Sequence, residues 1–385
     1  MKQRFDYLAD RRKTESIKWN AYEADVLPMW VADMDFLSPA PVIDALLERV
    51  KHGIFGYAGQ PSSLKDLIVS RMQEKYQWAV TPEEIILMPG VVTGFNLVTQ
   101  AIVAPHEEVI FQTPVYPPFF DAPKHASRGY HSIPLGRNAN GSYFIDFERF
   151  EQSITEQTRL FILCNPHNPV GRVFNREELN RLAEICLKYE ISICSDEIHC
   201  DLVYSESQHI PIASINAEIA KNTITLMAPS KTFNIAGLDC SFAIIQDENL
   251  REKINSSRKG LVGGVNVLGL TAAESAYRYG EAWLQDLLSY LQENRDYLFD
   301  RITNDFPEIQ MVKPEGTYLA WLDCSRLEIE ESPYQFFLDK ARVALNDGLG
   351  FGTEGDRFVR LNFGCPRSML EEALDRMRGA LDQIG

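Results

Sequence analysis

The sequence predicts an α/β protein with two domains, a large one built on a mainly parallel sheet and a smaller α+β one. From about residue 84 to residue 245, short apolar runs alternate with amphipathic helical patterns, which is typical of a parallel sheet flanked by helices. From roughly residue 290 the pattern changes to short strands of the antiparallel type. With 385 residues the chain is also too long for one small core. We expect an N-terminal segment over residues 1–48 that joins the small domain, a large domain over 49–288, and the small domain over 289–385.

The N-terminal part begins irregularly and then becomes helical. Residues 28–36 are apolar yet contain Asp33 and Asp35, which indicates an ordered loop near a functional site. The helix expected over residues 39–51 places Val42, Leu46 and Val50 on one face. A glycine-rich loop follows at residues 53–59.

Apolar runs bounded by turn residues give the strands, and 3.6-residue periodicity gives the helices. We expect strands at residues 84–88, 108–111, 159–164, 191–194, 223–227 and 241–245, and in the small domain at 317–322 and 358–363. We expect helices near residues 39–51, 63–77, 91–103, 281–305, 333–345 and 368–383. Asn175 is a predicted N-cap, followed by Glu177 and Glu178 in the first turn of another helix. The inner face of that helix would carry Leu179, Leu182, Cys186 and Tyr189.

The composition excludes several functional classes. The formal net charge of −16 argues against nucleic acid or an anionic membrane as the main partner. The seven cysteines are scattered without a Cys-x-x-Cys pair, which favours a reduced compartment over a disulfide framework or a zinc site. The N-terminus has no apolar leader, and no stretch approaches the length of a membrane span. We therefore expect a cytoplasmic protein that holds no metal.

Four polar stretches follow predicted strands of the large domain, at residues 90–93, 165–171, 196–199 and 230–231. In an open α/β sheet, ligands bind at the carboxyl ends of the strands. The four stretches are therefore expected to converge on one site, although they are far apart in the sequence.

Each stretch has a functional and a purely structural interpretation. Residues 90–93 open a helix, where free N–H groups favour a phosphate, but a plain strand-to-helix turn fits equally well. Asp196 needs a cationic partner once buried, either a protonated ring nitrogen or a structural arginine. Asn165 and Asn168 each precede a proline, which either fixes an amide for hydrogen bonding or makes a rigid turn. Lys231 is either a surface group or a buried amine suited to Schiff-base chemistry.

Taken together, these motifs resemble those of fold-type I, class I/II aminotransferase-like enzymes, which use pyridoxal 5′-phosphate. The series is residues 165–171 (Asn-Pro-His-Asn-Pro-Val-Gly), 196–199 (Asp-Glu-Ile-His) and 230–238 (Ser-Lys-Thr-Phe-Asn-Ile-Ala-Gly-Leu). The resemblance implies the aspartate aminotransferase-like fold, with the cofactor bound in the large domain. Residues 30–36 and the Thr-Phe-Asn form after Lys231 are similar to the cystathionine β-lyase subgroup of the MalY/PatB type.

The resemblance also implies roles around the cofactor ring. Lys231 would bind the cofactor covalently and take the proton from the substrate Cα. Asp196 would pair with the protonated ring nitrogen, so that the ring accepts electrons. Asn168 would donate to the ring oxygen, and Tyr116 would stack on the ring face. His199 would lie near the ring oxygen or simply pack.

Other implied roles concern the phosphate, the substrate and a second subunit. The backbone N–H groups of Val91 and Val92, together with Ser230, would hold the phosphate. Tyr57 would reach the phosphate of the neighbouring subunit, which implies a homodimer with active sites shared across its interface. Arg360 would bind the substrate α-carboxylate through two hydrogen bonds. The predicted substrate contacts are Arg360, Ala32, Tyr57 and Asn168.

Two departures from the aminotransferase pattern favour a lyase. Many aminotransferases have an arginine eight residues after the lysine and a tyrosine three residues after the aspartate, where this chain has Asp239 and His199. The predicted activity is a carbon–sulfur β-lyase that converts L-cystathionine to homocysteine, pyruvate and ammonia, with cysteine and related S-conjugates as further substrates. An amino-acid aminotransferase is the alternative, because it would use the same residues. A non-catalytic regulator of the same fold is less favoured, because Lys231 is present.

Overall fold

A computed structural model describes residues 4–383 of the chain. The strands of this part of the chain form four sheets, and the largest, called the larger sheet below, has seven strands. In chain order the strands are β1 (Leu27–Pro28), β2 (Ile85–Met88), β3 (Glu108–Thr113), β4 (Gly129–Pro134), β5 (Gly136–Arg137), β6 (Tyr143–Phe144), β7 (Thr158–Cys164), β8 (Ser192–Asp196), β9 (Thr223–Met227), β10 (Ser241–Ile245), β11 (Gln310–Met311), β12 (Leu319–Asp323), β13 (Val343–Ala344), β14 (Asn346–Asp347) and β15 (Phe358–Asn362).

The helices cover both faces of this sheet and form much of the C-terminal part. They are α1 (Ile17–Asn20), α2 (Ala40–His52), α3 (Ser62–Tyr76), α4 (Val91–Ile102), α5 (Pro118–His125), α6 (Phe147–Gln152), α7 (Arg176–Lys188), α8 (Ala217–Lys221), α9 (Pro229–Thr232), α10 (Glu248–Arg258), α11 (Val267–Tyr279), α12 (Glu281–Asp305), α13 (Pro333–Phe336) and α14 (Arg367–Leu381). Within the described residues, no helix is long and apolar enough to cross a membrane.

The order of strands in the larger sheet is β2-β10-β9-β8-β7-β3-β4. All neighbouring pairs are parallel except those of β10, which runs antiparallel to both β9 and β2. The central strands are buried on both faces, as their apolar sequences require. The prediction of a mainly parallel sheet flanked by helices is therefore confirmed, with β10 as the exception.

The register of the central strands aligns the residues that matter for the site. Asp196, the last residue of β8, lies opposite Cys164 of β7 and Leu226 of β9. The chain then leaves all three strands at the same edge of the sheet. The loops that follow them carry Asn168, His199 and Lys231.

A second sheet is antiparallel, with the strand order β11-β12-β15-β14. The N-terminal segment packs with this part of the chain, because β1 pairs in parallel with β13 through Leu27 and Val343. One apolar core contains residues from the N-terminal segment, from α12 and from the second sheet. The domain boundaries at 48/49 and 288/289 stay predictions, and the chain ends at residues 1–3 and 384–385 lie outside the described residues.

Several sequence predictions need correction. The helix expected near 333–345 is only α13 followed by a π-helical turn, Phe337–Ala341, because Arg342 has a positive φ of 55° and ends it. Tyr189 is 38% exposed, so it does not belong to the inner face predicted for its helix. Val50, predicted to share one face with Val42 and Leu46, is half exposed, whereas Val42 is buried. Asn175 does cap α7, through a capping box with Glu178.

Candidate active site

One cavity of about 490 Å³ lies at the carboxyl ends of the central strands. The structure brings all four predicted strand-end stretches to its wall, together with residues from the 30–36 loop and from β15. Of the predicted site residues, its lining includes Ala32, Val91, Val92, Tyr116, Asn168, Asp196, His199, Ser230, Lys231 and Arg360. Tyr57 is the predicted residue that does not line the cavity.

Lys231 is presented by α9, a single helical turn that begins directly after β9. Its Nζ donates a hydrogen bond to the carbonyl oxygen of Ala32 at 2.7 Å. Burial lowers the pKa of the Lys231 amine, and the nearby Arg360 guanidinium lowers it further, while Asp33 and Asp196 oppose this effect. The amine is thus closer to its neutral, nucleophilic form than a surface lysine.

Asp196 is a buried carboxylate without a cationic partner at ion-pair distance among residues 4–383. Its Oδ1 accepts one hydrogen bond, from the backbone N–H of Ile198 at 3.1 Å. Burial raises the pKa of Asp196 to about 7, and the neighbouring Glu197 adds to this effect. The structural alternative, pairing with an arginine, is therefore not observed in the described chain. A protonated ring nitrogen in the cavity would supply the missing positive charge.

Arg360 presents the opposite situation, because it is a buried cation with no carboxylate at ion-pair distance in the part of the chain that the structure describes. Its two terminal nitrogens donate to Asn168 Oδ1 (3.0 Å), to the carbonyl of Trp30 (2.9 Å) and to Asn346 Oδ1. Its Nε has no hydrogen-bond partner there. Burial lowers the pKa of Arg360 to about 10. The Arg360 guanidinium also lies 4.9 Å from the centre of the Phe351 ring.

Asn168 lines the cavity predicted to hold the cofactor and also contacts Arg360, the residue predicted to bind the substrate carboxylate. Because its Oδ1 already accepts from Arg360, its amide nitrogen remains as the donor for a group in the cavity. The predicted role as a hydrogen-bond donor to the ring oxygen needs this orientation.

The N-terminus of α4 opens into the same cavity. Gly90 adopts a φ of 96°, which turns the chain from β2 into the helix, and no side chain caps the first turn. The first N–H groups of the helix, from Val91 onward, therefore have no intrahelical acceptor. Ser230 lies on the same wall and adds a hydroxyl. These groups suit a phosphate, whereas Asp239, which also lines the cavity, supplies no positive charge.

His199 and Tyr116 complete the wall around the centre. Burial lowers the pKa of His199 to about 3, and the charges of Lys231 and Arg360 lower it too, so the imidazole is neutral. His199 Nδ1 is buried without a hydrogen-bond partner in the described residues, and its ring meets Tyr318 edge-on at 6.0 Å. Burial raises the pKa of Tyr116, with Asp196 contributing in the same direction, so the phenol stays protonated.

Tyr57 lies on the exposed loop between α2 and α3, where its side chain is fully accessible. The neighbouring Ile54 and Phe55 are also more than half exposed. The predicted contact of Tyr57 with the phosphate of another subunit stays a prediction.

The sequence did not identify three further residues around the site. Asn346, in β14 of the second sheet, and Phe351, at the end of a short 3₁₀ turn after it, line the cavity and contact Arg360. Tyr318 donates to the Ala32 carbonyl at 3.1 Å, the same oxygen that Lys231 contacts. No motif surrounds these residues, and no local pattern could have found them.

The donor set fits pyridoxal 5′-phosphate. An unpaired buried carboxylate, a lysine with a lowered pKa and an uncapped helix N-terminus match the ring nitrogen, the aldehyde and the phosphate of that molecule. Arg360, which forms no ion pair within the described residues, stays the predicted binding residue for a substrate carboxylate.

Comparisons with known proteins agree with this assignment. The family described as Aminotransferase class I and II matches residues 24–377. Cystathionine beta-lyase PatB of Bacillus subtilis (strain 168) is 41% identical over 98% of this chain and 99% of its own. Among solved structures, cystalysin from Treponema denticola, which contains pyridoxal 5′-phosphate, has a TM-score of 0.95 and 33% identity over 99% of both chains. The PLP-bound C-S lyase from Staphylococcus hominis has a TM-score of 0.92 and 35% identity over 98% of both chains.

Proposed function

The chain belongs to the aminotransferase class I and II family, and we propose that within this family it acts as a carbon–sulfur β-lyase with pyridoxal 5′-phosphate as its cofactor. The predictions of family, fold and cofactor made from the sequence are confirmed. The predicted lyase activity agrees with the relatives, because the similar proteins carry the names cystathionine beta-lyase and C-S lyase. The proposed substrates are L-cystathionine, cysteine and related S-conjugates.

One observation supports this proposal most directly. Within residues 4–383, neither the buried cation Arg360 nor the buried carboxylate Asp196 of the cavity has an oppositely charged side chain at ion-pair distance, and both charges affect the pKa of Lys231. Unpaired buried charges are costly unless a ligand compensates them. A cationic ring nitrogen at one end and a substrate carboxylate at the other would compensate both.

The residues of the chain then have distinct tasks in the proposed reaction. Pyridoxal phosphate, when bound, supplies an electron-accepting ring that stabilises negative charge at the substrate Cα. Asp196 would keep the proton on the ring nitrogen through a charge-assisted hydrogen bond. Arg360 would hold the α-carboxylate and thereby orient the Cα–H bond. The Lys231 amine would accept the Cα proton at its Nζ, because its lowered pKa leaves it available as a base.

The remaining contacts would position and separate the reactants. Tyr116 would pack on the ring face, and Asn168 would donate to the ring oxygen while its own oxygen binds Arg360. The N-terminus of α4 and Ser230 would anchor the phosphate. Departure of a thiolate from Cβ and addition of water give a thiol, pyruvate and ammonia as the overall products.

Incubation of the purified holoenzyme with L-cystathionine, in the absence of any 2-oxo acid, tests this function. We expect sustained release of pyruvate and a free thiol in equal amounts over many turnovers. A requirement for a 2-oxo acid acceptor would instead identify an aminotransferase, which uses the same residues. Absence of both reactions would favour the regulatory alternative.

We further propose that the active unit is a homodimer in which Tyr57 of one copy reaches the phosphate site of the other. Tyr57 lies outside the cavity of its own chain, and the loop that carries it exposes Ile54 and Phe55. Such exposed apolar side chains are typical of a surface that a partner covers.

A cytoplasmic location is also proposed, since the cysteines of the described chain are all free and buried.

A further inference from the structure

The loop at residues 30–36 has no regular secondary structure, yet its backbone is held by side chains along almost its whole length. The carbonyl oxygens of Trp30, Val31, Ala32, Asp33, Met34 and Phe36 each accept a hydrogen bond from a side chain. Because side chains donate to nearly all of these carbonyl groups, the position of the loop determines where those side chains are held.

Two of the donors are the residues to which the proposed reaction assigns the main tasks. Lys231 Nζ donates to the carbonyl of Ala32 at 2.7 Å, and an Arg360 nitrogen donates to the carbonyl of Trp30 at 2.9 Å. The base and the carboxylate-binding group are thus oriented by carbonyls only two residues apart. The position of this short segment therefore sets the geometry of both.

The carboxylate of Asp35 connects this segment to side chains between residues 11 and 19 of the chain. Its side chain is fully buried and accepts hydrogen bonds from Lys18 Nζ (2.5 Å), Trp19 Nε1 (2.7 Å) and Arg11 (2.8 Å). Lys18 is buried as completely and also donates to the Asp33 carbonyl at 2.8 Å. Arg11 also donates to the Met34 carbonyl at 3.1 Å.

The same loop is also hydrogen-bonded to the residues that directly follow α9, the helical turn that carries Lys231. Asn234, three residues after Lys231, donates to the carbonyls of Met34 (3.0 Å) and Phe36 (2.7 Å) on either side of Asp35. Asn234 has a φ of 55°, a conformation that asparagine tolerates better than most residues. This gives the Thr-Phe-Asn form of the lysine motif a physical meaning, because its asparagine connects Lys231 to the loop.

We propose that Asp35 is a positioning residue for the reaction: its carboxylate, held by Arg11, Lys18 and Trp19, fixes the loop carbonyls that orient the Lys231 amine and the Arg360 guanidinium. This inference rests on the proposed function, because it takes the tasks of Lys231 and Arg360 from there. Asp35 itself does not line the cavity. Loss of its charge leaves the buried Lys18 without a carboxylate partner and weakens the attachment of the loop.

The test compares four variants of the holoenzyme: Asp35→Asn, Arg11→Met, Arg11→Lys and Asp323→Asn. Asp35→Asn removes the charge of the proposed positioning residue. Arg11→Met removes one of its partners, whose side chain is 23% exposed, so this variant keeps the test possible if Asp35→Asn does not fold. Asp323→Asn is the matched control, because Asp323 is a nearly buried carboxylate paired with Arg137 and lies outside the cavity.

The readouts are the dissociation constant of propionate by calorimetry, the split between KM and kcat, and the melting temperature. We expect Asp35→Asn to weaken propionate binding by about tenfold and to lower kcat/KM by about 10- to 100-fold, because small misplacements of reacting groups are costly. Arg11→Met should show the same changes in weaker form, and Arg11→Lys should partly restore the wild-type values. Asp323→Asn should lower the melting temperature without either change.

The proposal is overturned if the folded Asp35 and Arg11 variants bind propionate and turn over substrate within about twofold of the wild type. It is equally overturned if Asp323→Asn produces the same losses, since the effect would then be one of general stability. Failure of the proposed function is a separate result. In that case the wild type releases no pyruvate and thiol, while propionate binding in the variants still decides the positioning role.

Discussion

Arg360 and Asn168 are hydrogen-bonded at 3.0 Å although 192 residues separate them in the chain. Arg360 comes from the second sheet and Asn168 from a loop at the edge of the larger one. The bond connects the group proposed for the substrate carboxylate to the group proposed for the ring oxygen. We therefore expect substrate binding at Arg360 to affect the hydrogen bonding of Asn168, because the two side chains contact each other.

Replacement of Arg360 by Met should raise KM for amino-acid substrates by about 10- to 100-fold, because a charged hydrogen-bond partner of the carboxylate is lost. Arg357→Met is the control, since Arg357 donates, among the described residues, to the backbone carbonyls of Leu327, Ile329 and Glu331. The control should lower stability and leave KM unchanged. Steady-state kinetics with L-cystathionine provides the measurement, and an unchanged KM in the Arg360 variant would contradict the assignment.

The pair should also be energetically coupled. In a double-mutant cycle of Arg360→Met and Asn168→Ala, we expect a coupling free energy of about 0.5–3 kcal/mol in kcat/KM, because contacting residues are not additive. Simple additivity of the two effects would mean that the hydrogen bond does not contribute to catalysis.

Replacement of Lys231 by Ala should abolish turnover, with a loss of at least about 10³-fold, because the base and the point of covalent attachment disappear together. The visible absorption of the bound cofactor should change as well. Lys253→Ala, on the exposed side of α10, serves as the control and should retain both. Near-normal activity in the Lys231 variant would refute the proposed mechanism.

Removal of the cofactor should make stability depend on pH through Asp196. Burial raises the pKa of Asp196 from the ordinary 3.8 to about 7, so its proton is bound more tightly in the folded than in the unfolded protein. The stabilisation of the folded state that comes from this tighter proton binding is therefore fully present below about pH 4 and is lost as the pH rises through about 7. This corresponds to roughly 4 kcal/mol of unfolding free energy at most.

The measurement for this prediction is the difference in unfolding free energy between the wild type and Asp196→Asn, taken without cofactor from pH 4 to pH 8. We expect the wild type to lose stability relative to the variant as the pH rises. The holoenzyme should lack this trend, because a cationic ring nitrogen keeps the carboxylate charged. A flat difference in the cofactor-free protein would contradict the prediction.

Two inactive variants should restore activity when their subunits exchange, if Tyr57 acts across the interface. A heterodimer of Tyr57→Ala and Lys231→Ala chains contains one site with both native residues. An equal mixture that exchanges freely should therefore reach about a quarter of wild-type activity. The fraction of heterodimer, measured by native mass spectrometry of the mixture, calibrates the exchange. If the two inactive variants stay inactive after exchange, Tyr57 does not act in the partner's site.

Local sequence patterns predicted six of the seven strands of the larger sheet, because runs such as β7, β8 and β9 are short, apolar and end at polar residues. The edge strand β4 was not predicted, since most of its residues are exposed or only partly buried and it is no apolar run. The local patterns also predicted the cap at Asn175 and the bounds of α12. They failed for the helix expected near 333–345, whose end depends on a left-handed Arg342 and on the pairing of β13 with β1. Strand pairing between distant segments leaves no local trace in periodicity.

The roles proposed for Lys231, Asp196 and Arg360 come from the resemblance to the family. The residues of the chain alone indicate the class of fold and the edge of the sheet where a ligand is expected to bind. These properties follow from hydrophobic periodicity, from the rule that parallel strands present their carboxyl ends together, and from residue type. The folded chain adds that neither Arg360 nor Asp196 forms an ion pair within residues 4–383, and that Asp35 binds Lys18 beside the carbonyls that accept from Lys231 and Arg360. Those facts depend on contacts between segments that periodicity does not relate to one another, such as Ala32 with Lys231 and Trp30 with Arg360, since burial and hydrogen-bond partners are properties of the folded chain.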